Sequence, residues 1–134
     1  MIQKMSNTQE LITFSTSGGT IFTTKYNISL VLDGDAFFLK GKLTSVDMGL
    51  KQRTSRHSVK VSKEWANEIL GELRSASIPP MPQELPFGCD AVGHSLTVCA
   101  GFAGATYSWI GEPPNGWEIL SKIANKIIFA FGHY

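Results

Sequence analysis

Three chemically equipped side chains fall within one six-residue stretch, Cys89-Asp90-Ala91-Val92-Gly93-His94. A thiol beside a carboxylate and an imidazole is the raw material of a cysteine nucleophile, which needs a nearby base to form its thiolate. The same side chains also bind metals, but a metal site needs about three or four ligands converging in space. Here they follow one another along a single segment, and the other histidines are His57 and His133. The stretch therefore reads first as a connecting loop, with Cys89 packed as a small apolar group. A small enzyme using the Cys89–His94 loop is the alternative. Cys99 falls on an expected strand and whether it pairs with Cys89 is open, although an intracellular setting favours thiols.

Other reactive constellations are scarce. The sequence holds no G-x-x-x-x-G-K-[ST], no G-x-G-x-x-G, no G-x-S-x-G and no H-E-x-x-H. Gly101-Phe102-Ala103-Gly104 has the spacing of a nucleotide-clamping loop, but it lies between two strands and reads as a hairpin turn. Asp33 and Asp35 flank Gly34 in a turn, where carboxylates are usually solvated. No metal, no cofactor and no catalytic residue is expected.

Charge is the stronger signal. Residues 40–63 carry Lys40, Lys42, Lys51, Arg53, Arg56, Lys60 and Lys63 against Asp47 alone, a sum of +6. Residues 1–39 sum to −1 and residues 64–134 to −4, giving the net +1. A basic segment in an otherwise acidic chain suits an acidic protein partner. Nucleic acid fits less well, because no aromatic side chain is interleaved with these charges for base stacking. Arg53, Arg56 and Lys60, with Lys51 and the adjoining loop 44–52, are the candidate contact residues. The competing reading pairs these charges with Glu64, Glu68 and Glu72 on the helix that follows.

The elements that must carry this segment follow from periodicity. Glu10–Thr16, Thr20–Lys25, Tyr26–Leu32, Ala36–Leu43 and Arg53–Val61 read as extended chain, with Ile28, Leu30 and Leu32 on one face. On the last of these, His57, Val59 and Val61 share one face, and Arg56, Ser58 and Lys60 the other. At Ser62, a helix-capping residue, the apolar period changes to about 3.6. Trp65, Ile69 and Leu73 then mark a helix over 63–77, halted by Pro79-Pro80. Residues 79–93 form a long Pro-rich connector, the second candidate for a contact surface. A hairpin, Ser95–Ala100 and Ala105–Ile110, leads to a last helix over 114–131 with Trp117, Leu120, Ile123 and Ile127 inward. The order β-β-β-β-α-β-β-α predicts a single α+β domain over 1–134, with 1–9 flexible. It predicts a largely antiparallel sheet of five to six strands with both helices on one face.

Composition agrees: 43% apolar and 17% charged residues exclude a disordered chain. The chain has no run of about 18 apolar residues to span a membrane, and Met1–Glu10 has no signal-peptide core. A soluble, cytoplasmic protein without membrane contact is the expectation. Ser17-Gly18-Gly19, the Asp33-Gly34 turn, the Trp65 helix, Phe87-Gly88-Cys89-Asp90, the hairpin and Glu112-Pro113-Pro114-Asn115-Gly116-Trp117 occur in that order. This layout resembles that of small bacterial α+β proteins, among them immunity proteins of polymorphic or contact-dependent toxins. It is also similar to the emfourin-type inhibitors of metallopeptidases. The resemblance spans most of the chain in element order, and it implies a non-enzymatic protein that neutralises a cognate partner through its surface.

Overall fold

In the computed structural model, residues 8–18, 24–79, 92–100 and 103–132 are described. The elements are β1 (Thr8–Gly18), β2 (Lys25–Asp33), β3 (Ala36–Val46), β4 (Gln52–Val61), α1 (Lys63–Ser75), β5 (Val92–Ala100), β6 (Ala103–Ile110) and α2 (Glu118–Gly132). The six strands form one antiparallel sheet in the order β4-β3-β2-β1-β5-β6. Strands β1 to β4 meander outward; after α1 the chain returns to the free side of β1 and ends the sheet with the β5–β6 hairpin. The fold is α+β, as the element order implies.

Alternation decides which face is buried. Phe14, Ile28, Leu30, Leu39 and Leu96 point to one face and are essentially sealed from solvent. Helix α2 lies over β2 and β4 on that face, and α1 lies over β3. Their apolar stripes supply Ala66, Ile69, Leu120, Ile123, Ile127 and Phe131. Trp117 is buried as expected, whereas Trp65 and Leu73 are only partly buried. Trp109 also belongs to the core, at 4% exposure. Glu68 and Glu72 of α1 face α2. There Lys126 Nζ donates to Glu72 Oε1 at 2.6 Å, with Glu68 at 3.7 Å and Lys122 3.8 Å from Glu72 Oε2. The Lys126 hydrogen bond holds the Glu72 carboxyl below its ordinary range, against the opposing effect of partial burial.

Several boundaries differ from the sequence reading, each for a local reason. Strand β1 begins at Thr8 and takes an extra residue between Glu10 and Ile12, a β-bulge. The expected loop 44–52 is partly strand: Thr44, Ser45 and Val46 pair with Thr54, Arg53 and Gln52, leaving a turn of 47–51. Helix α1 ends at Ser75, whose hydroxyl bonds back to the Gly71 carbonyl at 2.9 Å, and not at residue 77. Pro113 and Pro114 stand before α2, not in its first turn. Trp117 N–H closes on the Pro114 carbonyl at 2.9 Å, and Gly116 has φ +95°. Ala103 and Gly104 are the start of β6, paired with Ala100 and Cys99, not part of a hairpin turn. Residues 20–23 and most of the connector 79–93 lie outside the described residues.

One glycine is required by close approach. A Cβ at Gly41, midway along β3, would overlap the Asn27 carbonyl oxygen and stand 2.8 Å from Ile28 Cα. Only glycine lets β3 pass that close to β2.

Candidate binding face

The face of the sheet opposite the helices has no layer over it among the described residues. It is hydroxyl-rich across β1, β5 and β6, where Thr97 and Thr106 bond at 2.9 Å and Thr13 and Ser29 at 3.0 Å. Across β3 and β4 it is basic. Lys40 and Lys42 of β3 and Arg56 and Lys60 of β4 share it by parity, and Lys42 stands directly opposite Arg56. Like charges directly opposed across a strand pair are destabilising.

None of these four cations makes an ion pair among the described residues. The pairs present are Arg53 with Asp47 and Lys122 and Lys126 with Glu68 and Glu72. Glu68 and Glu72 therefore answer α2, because the helices occupy the other side of the sheet. A shallow recess of about 440 Å³ runs between Lys40, Lys42 and Arg56 on one side and Glu10, Asn27 and Ser29 on the other. Phe38 flanks it, opposite Val31 and Lys60, with the Lys40 ammonium 5.5 Å from its ring centre. Val31 is 97% buried although it points to this face, so the patch has an apolar floor.

The four residues singled out from the sequence divide. Arg56 and Lys60 are on the open face. Arg53 is at the opposite parity and cannot join their stripe; its Nε lies 3.4 Å from Asp47 Oδ2. Lys51 sits in the β3–β4 turn. Asp47 builds that turn: its Oδ1 accepts the N–H groups of Gly49 and Lys51, each at 3.0 Å. Its own N–H donates to the Lys51 carbonyl at 3.0 Å, and the Leu50 N–H donates to its carbonyl at 2.9 Å. Leu50 is held at φ +61°, unusual for a side chain branched at Cγ. The turn thereby presents Met48, 92% exposed, and Leu50, 65% exposed.

Lys40, Lys42 and Phe38 are the residues that sequence reasoning did not single out, while Met48 and Leu50 fall within the candidate loop 44–52. Counting alternation from Leu39 puts Lys40 and Lys42 on the open face; the pairing of β3 with β4 then sets Lys42 beside Arg56. Phe38 lies two positions before the charged run, so in space the basic patch does have an aromatic neighbour.

The Cys89–His94 constellation looks different once built. His94 is not on a loop; it pairs with Trp109 within β5 and β6. Its ring stacks on Trp109 at 5.3 Å and on Phe14 at 6.1 Å, and burial pushes its pKa below the ordinary histidine value. Cys89 and Asp90 lie outside the described residues. Cys99 is a half-buried thiol on β5. His57 stacks on Phe131 at 4.1 Å, with Nε2 3.4 Å from the Phe131 carbonyl oxygen. Among the described residues no three metal-binding side chains converge, and no helix is long and apolar enough to cross a membrane.

The molecule is thus an α+β protein with one face of its sheet covered by helices and the other, half basic, uncovered among the described residues. The chain matches no protein-family model, and no curated protein is detectably similar to it.

Proposed function

We propose that this chain is a non-enzymatic binding protein that neutralises a cognate protein, in the manner of an immunity protein against a bacterial toxin. Its basic sheet face lies on an acidic surface of that partner. The observation that carries the reading is the set Lys40, Lys42, Arg56 and Lys60, gathered on one open face without an acidic neighbour in ion-pair range. A fold that keeps two cations opposed across neighbouring strands accepts an internal repulsion that an acidic surface would relieve. Arg56 and Lys60 are about 13 Å apart along β4, a span suited to a patch of carboxylates. Met48 and Leu50 stand at the end of the same hairpin, on a turn already ordered by Asp47, so little further ordering is needed for contact. The cognate is acidic around an apolar spot, and the contact works in the cytoplasm without cofactor or nucleic acid.

The test is capture of the tagged chain from its source cells, starting with the product of the neighbouring gene. Binding kinetics of the purified pair then follow. Lys42→Glu with Arg56→Glu slows association at least about tenfold and removes most of its salt dependence. Unchanged rates in the double variant would place the contact elsewhere, with the 79–93 connector next in line.

A further inference from the structure

The two edges of the sheet are treated differently. Edge strand β4 carries Arg53, Arg56 and Lys60, charges of the kind that discourage pairing with another chain. Edge strand β6, Ala103-Gly104-Ala105-Thr106-Tyr107-Ser108-Trp109-Ile110, carries no charge, no proline and no bulge. Six of its eight residues are exposed, and among the described residues no strand pairs with its outer side. Ala103 and Ala105 also border an apolar cavity of about 790 Å³, lined by Leu32, Phe37, Leu70 and Val98 among others, which reaches the surface along this edge.

We infer that β6 is a self-association edge: it pairs antiparallel with β6 of a second copy of this chain. A two-fold axis perpendicular to the sheet through Thr106 sets Thr106 opposite Thr106 and Gly104 opposite Ser108 on the open face. On the helix face it sets Ala105 opposite Tyr107 and Ala103 opposite Trp109. Small residues meet large ones, β6 brings no charge to the contact, and the cavity mouth is covered. Self-pairing through β4 would instead crowd its arginines and lysine together. In the β6 pair the helices of both copies lie on the same side, so the open faces form one twelve-stranded surface. The two basic patches then face the same way from its ends, about 50 Å apart along the sheet.

Sedimentation equilibrium of the purified chain from about 1 to about 300 µM tests this. The expected mass rises to twice 14.6 kDa within that range. Thr106→Lys with Ser108→Lys brings like charges together about the two-fold through Thr106 and raises the dimer dissociation constant about a hundredfold or more. Arg56→Glu on β4 leaves the dimer constant unchanged. Circular dichroism confirms that both variants are folded. A wild-type chain that stays monomeric throughout overturns the inference, and so does a lysine variant that dimerises as tightly as wild type. A dimer lost in Arg56→Glu alone places the contact at β4 and overturns it equally. None of these outcomes depends on the acidic partner.

Discussion

Replacing Lys42 with glutamate should make the isolated protein more stable while weakening partner binding. Lys42 faces Arg56 directly, and neither has an acidic partner within 4.0 Å among the described residues. Side-chain charges on directly opposed strand residues lie about 7 Å apart, where at an effective dielectric of about 60 their repulsion is about 0.8 kcal/mol before screening. At an ionic strength of about 20 mM the Debye length is about 20 Å, and about 0.5 kcal/mol of that repulsion survives. Reversing one sign turns it into a similar attraction, so the swing is about 1 kcal/mol. At about 0.5 M salt it shrinks to about 0.3 kcal/mol. For a chain of this length about 1 kcal/mol corresponds to about 3–4 °C in Tm. Thermal melts of wild type and Lys42→Glu at both salt concentrations read this directly. The variant should melt higher at low salt, and the gap should close at high salt. A variant that melts lower at low salt would show that Lys42 serves the fold, and the argument from unrelieved repulsion would fail with it.

Three further outcomes are expected. In the β3–β4 turn, Asp47→Ala removes two side-chain hydrogen bonds and the Arg53 contact, and should cost about 1–2 kcal/mol with faster amide exchange at Gly49 and Lys51. Leu50→Gly at φ +61° should gain about 0.5–1 kcal/mol in a denaturant titration; a loss would mean the leucine side chain holds the turn. His94, whose pKa burial lowers from the ordinary 6.5, sets a pH window. Below about pH 6.5 the unfolded chain binds a proton that the folded chain resists, so stability is complete above that pH and falls as pH drops toward the folded pKa. His94→Phe should flatten that part of a Tm-against-pH curve between about pH 7 and 5; an equally steep curve would assign the decline to other groups.

Much of the architecture was legible because local rules coincide with it. Ile28, Leu30 and Leu32 alternate as a half-buried strand must, and the Ser62 side chain does accept the Trp65 N–H, at 3.1 Å. The strand order was not legible: β1 lies between β2 and β5, a choice fixed by pairings across more than 70 residues that no window contains. Thr44–Val46 looked like loop because the β3–β4 turn is closed by the Asp47 side chain, which leaves no glycine-rich signal of the usual kind. His94 was counted with the Cys89–His94 loop because it follows the Pro-rich connector directly, whereas in the sheet Gly93 already pairs with Ile110 and His94 with Trp109. Arg53 was grouped with Arg56 and Lys60 by charge, although three residues of separation put it on the other side of a strand. The basic patch itself was half legible, since Lys40 and Lys42 join it only through the pairing of β3 with β4.

Gly41 divides what this protein can change from what it cannot. Any side chain there would collide with the backbone of β2, so the position tolerates no drift. Its neighbours Lys40 and Lys42 project onto the open face, where a new side chain meets no backbone of the neighbouring strand. On the proposed reading, a lineage carrying this fold can therefore exchange the side chains at 40, 42, 56 and 60 to follow a changing cognate while the chassis stays fixed. Divergent recognition on an invariant frame is the pattern expected among its descendants, with glycine at 41 as the mark they share.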